Sequence, residues 1–243
     1  MPTWKVTLEY DGTRYRGWQA QKNTDRTVQG VLLRAAREIL GSDAASGGAG
    51  RTDAGVHALA QVAHLRARRS LAPGELLRGL NDALPHDVNV LSVEPAAPGF
   101  HARHDAASRT YLYRISRRRT AFDKRYVWWV RDRLEVAPMA AAAALFRGRH
   151  DFASFCENPA GQESTIVVVE SSEVIDRGHE IHYRVEASHY LWKMVRRLVG
   201  TLVEVGRGKI GVPDVERLLR EKSAEPAAWT APPSGLFLEK VKY

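Results

Sequence analysis

The order of apolar and polar residues predicts two kinds of secondary structure near the start of the chain. Within residues 3–10 every second side chain is apolar, and lysine, threonine and glutamate fill the positions between them. This two-residue period is typical of a half-buried β-strand. Over residues 28–40 apolar side chains recur every three or four positions, which predicts an amphipathic helix. Thr27 and Gly41 are suited to begin and end that helix.

Similar periods predict a mixed α+β chain. Further strands are predicted over 44–50, 56–65, 87–93, 108–115, 126–130, 164–175, 180–187 and 236–243, and further helices over 73–84, 138–146, 190–205 and 213–222. The first half then has the order β-α-β-β-α-β, which is compatible with a ferredoxin-like sandwich. Two prolines within residues 94–99 mark the best internal boundary. We therefore expect an N-terminal half, residues 1–105, and a C-terminal half, residues 106–243.

The charge of the chain favours a polyanionic partner. The formal net charge is +8, and most of the 36 basic residues are arginine, which suits bidentate contact with phosphates. Lysine and arginine gathered on one face bind RNA or DNA, although a basic chain need not bind either. The single cysteine, Cys156, excludes an intrachain disulfide and fits a reducing compartment. Residues 1–5 contain no signal-peptide core, and the longest apolar run, residues 139–146, is too short to span a membrane. We expect a cytoplasmic protein.

A glycine-rich segment over residues 47–57 surrounds one carboxylate, that of Asp53. Glycine permits positive φ and allows another molecule to approach the backbone closely. Asp53, with Arg51 two residues before it, is therefore the leading candidate for a reactive group. An aspartate beside glycine is also ordinary turn chemistry, so a simple turn is the alternative.

Two other segments carry candidate binding residues. Over residues 14–19, Arg14 and Arg16 alternate with aromatic rings. Such a segment either holds phosphates and stacks on bases or is a loop pinned by two rings. In the helix predicted over 190–205, Arg196 lies at the border of the apolar face, from which it can reach a cleft. Lys193 and Arg197 lie behind that face and are expected to point to water.

Several common sites are not indicated by the sequence. His101, His104 and Asp105 lie close together, but their spacing matches no zinc motif. The glycine-rich segment lacks the lysine of a phosphate-binding P-loop, and no parallel βαβ unit surrounds it, as a dinucleotide site requires. Cys156 has no base near it in the sequence and is expected to be a small core residue.

Ordered blocks along nearly the whole chain resemble the tRNA pseudouridine synthase A (TruA) family. The blocks are 8–13, 50–57, Asn81 with 84–85, 100–103, 109–111, 150–152 with 154–155, 194–196 with 199–200, and 235–238. The resemblance implies an enzyme that isomerises uridine to pseudouridine at positions 38, 39 and 40 in the anticodon stem-loop of tRNA. Neither a cofactor nor a metal is implied, since the isomerisation transfers no electrons and needs no group carrier.

The resemblance also implies a role for each matched residue. Asp53 matches the catalytic aspartate, which either attacks the nucleotide covalently or removes a ribose proton. Tyr111 matches the tyrosine that stacks on the flipped uracil and helps to remove the proton from C5. Arg196 matches the arginine that pairs with the aspartate, and Arg51 matches one that holds the target nucleotide out of the stack. Extrusion of the nucleotide is physically necessary, because its ribose cannot be reached inside a helix.

The fold implied by the resemblance is α+β, with two ferredoxin-like (RRM-like) halves, a joined antiparallel sheet and a central active-site cleft. The family is typically a homodimer, with one tRNA touching both subunits. Two other hypotheses compete with this one. One is a non-catalytic tRNA-binding protein on the same scaffold, because fold does not fix function. The other is an enzyme that binds a free nucleotide through residues 47–55.

Overall fold

The chain forms two compact units in the computed structural model, which describes residues 1–243. The first unit contains residues 1–107 and 237–243, and the second contains residues 108–236. Each unit combines helices with a mostly antiparallel sheet. The predicted α+β class is confirmed.

The sheet of the first unit is built around its longest strand, β3 (His57–Arg66), which pairs with other strands along both of its edges. Its elements are β1 (Thr3–Tyr10), α1 (Val28–Leu40), β2 (Ala45–Gly48), β3 (His57–Arg66), α2 (Pro73–Ala83) and β4 (Val88–Pro95). β1 pairs antiparallel with β3 on one side and with β4 on the other. β2 pairs antiparallel with the second half of β3. This leaves the first half of β3, which follows the glycine-rich segment, without β2 beside it.

The local sequence explains the boundaries of α1. The Thr27 hydroxyl accepts a hydrogen bond from the Gly30 N–H and caps the first turn, and Gly41, at φ +106°, ends the helix. Its apolar stripe, including Val31 and Leu32, is buried. Burial of this stripe, more than helix propensity, stabilises a helix of this length.

The second unit begins with the strand that carries Tyr111. Its elements are β5 (Ser108–Ser116), β6 (Trp128–Trp129), α3 (Val136–Ala144), β7 (Gly148–Asp151), β8 (Ile166–Asp176), β9 (Glu180–Ala187), α4 (Met194–Gly206), α5 (Val212–Arg220) and α6 (Glu225–Ala228). β9 lies between β5 and β8, and β7 extends the sheet beyond β8, all antiparallel. The two-residue β6 runs parallel to β5.

The last strand, β10 (Leu236–Lys242), returns to the first unit. Phe237 and Leu238 pair in parallel with His57 and Ala58 at the start of β3. The Phe237 ring stacks on the His57 ring with 4.8 Å between their centroids. The residues that follow the glycine-rich segment are therefore held by a strand from the end of the chain.

Most predicted elements are present, with boundaries shifted by a few residues. The bounds predicted for β1 and α1 are confirmed, whereas β7 and α6 have no counterpart in the predictions. The strand predicted over 126–130 is reduced to β6. None of the helices has both the length and the apolar character that crossing a membrane requires.

Candidate active site

The loop between β2 and β3 carries Asp53 at the start of a tight turn. The Val56 N–H donates to the Asp53 carbonyl over 3.1 Å, and Gly55 in the turn has φ +78°, where glycine is favoured over other residues. Arg51 is exposed, Thr52 is buried and Asp53 is half-buried. The turn expected as the simpler alternative is therefore present, and it holds the aspartate at the surface of the first unit.

A buried glutamine holds the loop from the β3 side. Gln61 donates through Nε2 to the Gly50 carbonyl over 2.9 Å, and its Oε1 accepts from the Gly50 N–H over 3.3 Å. The Tyr10 and Thr52 hydroxyls share a hydrogen bond of 2.8 Å beside it. Burial raises the pKa of Tyr10 to about 12, with the hydrogen bonds to Thr52 and Gln61 opposing this rise. Tyr10 therefore stays neutral at physiological pH and serves here as a hydrogen-bonding support.

The predicted basic and aromatic segment holds the loop from the other side. The Trp18 N–H donates to the Thr52 carbonyl over 3.0 Å, and the Gly55 N–H donates to the Tyr15 carbonyl over 3.3 Å. Gly17 has φ +98°, and a Cβ there would lie 2.6 Å from the Thr52 carbonyl oxygen. Only glycine permits so close an approach.

The two rings and the two arginines of this segment have different surroundings. Tyr15 and Trp18 are buried, so both rings pin the segment, as one of the two interpretations predicts. Arg14 and Arg16 are exposed and lie with Ala54 and Gly55 along one groove. The structure thus brings Arg14 and Arg16 close to the Asp53 loop.

In the second unit, Tyr111 is held by a second tyrosine. Tyr111 is buried on β5, and its ring meets the ring of Tyr190 edge to face, with centroids 4.9 Å apart. The Tyr190 hydroxyl lies 2.8 Å from the Val185 carbonyl and 3.0 Å from the Arg109 carbonyl. Burial raises the pKa of Tyr190 well above its ordinary value. The hydroxyl therefore keeps its proton and can donate to the Arg109 carbonyl on β5 and the Val185 carbonyl on β9. The Tyr190 ring is therefore one of the contacts that orient the Tyr111 ring.

Arg196 lies in the first turn of α4 and is half-buried. Its Nε donates to the Ala231 carbonyl over 2.7 Å, and the Ala231 N–H donates back to the Arg196 carbonyl over 3.0 Å. The Tyr113 hydroxyl, on β5, donates to the next carbonyl, that of Pro232. Burial raises the pKa of Tyr113, and the positive charge of Arg196 opposes that rise. Arg196 and the strand that carries Tyr111 therefore meet the same short segment.

The prediction that Arg197 points to water is wrong. Arg197 is buried, donates through Nη1 to the Cys156 carbonyl over 2.7 Å and through Nη2 to Glu157 Oε2. Lys193 donates to the other oxygen of Glu157 over 3.1 Å, and this bond is the main reason why the pKa of Glu157 lies below its usual range. The helical wheel failed because the segment after Phe152 covers the back of α4, a long-range contact that periodicity does not contain.

Gln61 is a site residue that the sequence prediction missed. It is a polar residue in a predicted strand, and it is fully buried. That mismatch is a usable signal, because buried amides are almost always hydrogen-bonded to something specific. Cys156 is buried, as predicted for a core residue. No group of three or more His, Cys, Asp or Glu side chains is arranged to hold a metal ion.

Comparison with known proteins decides the family. A sequence model of tRNA pseudouridine synthase matches residues 7–105 and 142–243. The chain belongs to the tRNA pseudouridine synthase family. It is therefore an isomerase that acts on uridine in tRNA, and the family predicted from its sequence blocks is confirmed. The two matched ranges contain Asp53 and Arg196 but not Tyr111.

Similar proteins match this synthase over its whole length. tRNA pseudouridine synthase A of Nitrobacter winogradskyi is 42% identical over 246 residues, covering 100% of this chain and 96% of the relative. tRNA pseudouridine synthase A of Moorella thermoacetica is 40% identical, and tRNA pseudouridine synthase A 2 of Bacillus cereus is 36% identical, each with 100% of both chains covered.

Proposed function

We propose that this synthase forms pseudouridine at positions 38, 39 and 40 of the tRNA anticodon stem-loop, with Asp53 as its catalytic residue. The observation that carries the proposal is the support of the Asp53 loop. Side-chain bonds from Gln61 hold Gly50, and backbone bonds from the 11–18 segment hold Thr52 and Gly55. A loop held from both sides restricts the positions that its half-buried carboxylate can take, and restriction of this kind is how positioned groups lower a barrier.

The reaction exchanges one bond to the ribose for another. The bond between C1′ and N1 breaks, the uracil rotates, and a bond forms between C1′ and C5. N1 then gains a proton and C5 loses one, so atoms and electrons balance without an oxidant, a reductant or a cofactor. Asp53 begins the sequence by one of two routes. Its carboxylate attacks C1′ as a nucleophile, or it removes a ribose proton as a general base.

Tyr111 and Arg196 have supporting roles in this proposal. Tyr111 stacks on the extruded uracil and helps to remove the proton from C5, and its ring orientation is maintained by Tyr190. Arg196 pairs with the Asp53 carboxylate and opposes the rise in its pKa that RNA closure would cause by desolvation. The hydrogen bonds between Arg196 and Ala231 favour this role, since they fix the base of the guanidinium group.

Three exposed arginines complete the proposed site. Arg51, two residues before Asp53, holds the target nucleotide out of the stack, and Arg14 and Arg16 bind the RNA. The exposure of all three side chains favours contact with a ligand that arrives from solution.

The proposal extends to fold and assembly. We propose two ferredoxin-like halves, residues 1–105 and 106–243, with a joined sheet and the active-site cleft between them. The order β1-α1-β2-β3-α2-β4 in the first unit supports the first of these halves. A homodimer in the cytoplasm, with one tRNA touching both subunits, follows from the family resemblance.

A position-by-position assay tests the proposed function. Three tRNA transcripts, each with a single uridine at position 38, 39 or 40 and cytidine at the other two, are incubated with wild type and with Asp53→Asn. Pseudouridine is then mapped by chemical labelling and primer extension. We expect modification of all three transcripts by wild type and of none by Asp53→Asn. Modification only outside the anticodon stem-loop, or equal modification by both proteins, would contradict the proposal.

A further inference from the structure

A groove of about 930 Å³ lies in the first unit beside the loop that carries Asp53. Four arginines line it: Arg14, Arg16, Arg26 and Arg34. Ala54 and Gly55, the two residues after Asp53, form part of the same wall. A ligand in this groove therefore contacts the loop at the two residues that follow Asp53.

The four guanidinium groups come from three parts of the chain that are fixed relative to one another. The Arg16 N–H donates to the Arg26 carbonyl over 2.7 Å, which joins the 14–16 segment to the residue before the Thr27 cap. Arg34 lies three residues after Val31 on α1, which places both on the same side of the helix, and both line the groove. The cations are thus attached to a rigid framework, although each side chain extends into solvent.

None of these four arginines forms an ion pair or a side-chain hydrogen bond within the protein. Other arginines of the chain behave differently: Arg114 contacts Glu180 through two hydrogen bonds, and Arg117 does the same with Asp176. A cluster with an excess of positive charge repels itself, and a bound anion would reduce that repulsion.

The two carboxylates in the groove do not neutralise it. Asp87 accepts the Tyr15 hydroxyl over 2.6 Å, and the Asp11 N–H donates to the Asp87 carbonyl over 3.0 Å. Asp87 therefore serves to fix the Tyr15 ring in the wall. Asp25 is exposed at the groove, which leaves four guanidinium groups against two carboxylates.

The character of the wall indicates which part of a nucleic acid would be bound. Tyr15 and Val31 are both buried, so their apolar surface is not available to stack on a base. Beside the exposed Pro85 and His86, the groove presents four guanidinium groups to a ligand. Guanidinium groups bind phosphate oxygens through bidentate hydrogen bonds. Contacts of this kind position a nucleic acid without reading its sequence.

We infer that this groove binds successive backbone phosphates of the tRNA beside the target nucleotide, with Arg26 and Arg34 as binding residues in addition to Arg14 and Arg16. The inference rests on the proposed function for the identity of the RNA. Beyond the proposed function, the inference specifies where the RNA backbone runs, namely along the groove that Ala54 and Gly55 help to line. Binding in the groove holds the RNA strand in place while the target nucleotide turns out of the helix. Because phosphate contacts do not read sequence, tRNAs of different sequence should bind the groove with similar affinity.

The salt dependence of RNA binding tests the inference. The dissociation constant of a fluorescent anticodon stem-loop RNA is measured from 50 to 300 mM KCl for wild type, Arg26→Ala, Arg34→Ala and the double variant. Loss of one phosphate contact lowers the slope of log K against log [salt] by about 0.7–0.9, which extrapolates to about five- to eightfold weaker binding at 0.1 M salt. We expect each single variant to lower the slope by the amount that corresponds to one phosphate contact, and the double variant to lower it by twice that amount.

Three controls separate this effect from other causes. Arg37→Ala removes an exposed arginine of α1 that does not line the groove, and it should leave both affinity and slope unchanged. Arg26→Lys keeps the positive charge and should restore most of the slope that Arg26→Ala loses. If Arg26→Ala weakened binding through a folding defect, restoring the charge would not restore the slope. Equal effects of Arg26→Ala, Arg34→Ala and Arg37→Ala would overturn the inference.

A separate experiment distinguishes an RNA backbone from a free phosphate compound. Uridine monophosphate and inorganic phosphate are titrated into wild type and the double variant by calorimetry. We expect no saturable binding of either below millimolar concentration, since one phosphate reaches only part of the groove. Tight binding of uridine monophosphate that is lost in the double variant, with RNA affinity unchanged, would overturn the assignment to RNA.

The inference and the proposed function fail in different ways. Variants that retain wild-type RNA affinity and slope, in a protein that forms pseudouridine, would refute the groove alone. Variants that lose affinity and slope as expected, in a wild-type protein that forms no pseudouridine in the anticodon stem-loop, would refute the proposed function and leave the groove as an RNA-binding site.

Discussion

Replacement of Gln61 by methionine should separate support of the Asp53 loop from general stability. Methionine is similar in length and fills the buried space, but it makes neither of the two hydrogen bonds that hold Gly50. Each bond contributes about 1 kcal/mol, and the partly buried Gly50 groups left behind add to the loss. The distance of 3.5 Å from Gln61 Nε2 to the Tyr10 hydroxyl is too long to add much. We expect a loss of about 2–3 kcal/mol in the free energy of unfolding.

That loss is too small to reduce activity by unfolding the enzyme. A domain with a stability of about 5 kcal/mol or more stays over nine-tenths folded at 25 °C after such a change. Any larger fall in kcat therefore reports the position of the loop. We expect kcat to fall at least about tenfold, because displacement of a reacting group by 1 Å costs up to about 100-fold in rate. Urea denaturation gives the stability, and single-turnover pseudouridine formation under saturating tRNA gives the rate.

Gln29 provides a matched control in the same unit. It is also buried, and it also binds backbone on both sides, accepting from the Ala20 N–H over 2.9 Å and donating to the Ser46 carbonyl over 2.7 Å. Its Oε1 also accepts from Gln19 Nε2 over 2.7 Å. Gln29→Met should therefore lose at least as much stability as Gln61→Met while keeping kcat within about twofold, since none of its bonds reaches the Asp53 loop. If Gln61→Met retains as much kcat as Gln29→Met at equal stability, the reasoning about loop support is refuted.

Three further predictions concern other parts of the chain. Gly200→Ala should destabilise the second unit by about 1–3 kcal/mol, because a Cβ there overlaps the Trp229 carbonyl, and thermal unfolding measures the loss. Tyr111→Phe should keep stacking and lower kcat more than it raises KM, and equal kcat values would exclude an essential hydroxyl. Burial and the nearby charge of His101 lower the pKa of His64 to about 4, so the unfolded chain takes up this proton first. Stability should fall from about pH 6.5 to pH 4 more steeply in wild type than in His64→Asn, as measured by urea unfolding, and parallel curves would contradict the assignment.

Local sequence patterns were sufficient to predict a helix or strand where contacts with distant parts of the chain do not change the secondary structure that the segment itself favours. The bounds of α1 follow from its apolar stripe, Thr27 and Gly41, all of which lie within one stretch of sequence. The strand β1 follows from alternation in the same way. In contrast, β7 is a strand of four residues with little apolar character, and it is stabilised by pairing with β8, which local sequence does not contain.

The candidate site shows the same division between local and long-range information. The sequence places Asp53 in a glycine-rich turn, and the structure has that turn. It does not predict that Gln61 reaches back eleven residues to Gly50, nor that Arg26 and Arg34 share a groove with Arg14. Arg197 is the clearest error, because helix periodicity assigns a side to a residue without knowing what covers that side. The roles of Asp53, Tyr111 and Arg196 stay predictions.

The most direct measurement is tritium release from tRNA that carries uridine tritiated at C5, with wild type and Asp53→Asn compared under the same conditions. The C5 hydrogen leaves only when the new carbon–carbon bond has formed, so its release follows the isomerisation itself. The account predicts release by wild type and none by Asp53→Asn, with tRNA affinity changed by no more than several-fold, because affinity comes mainly from phosphate contacts. Equal release by both proteins would contradict the central role of Asp53.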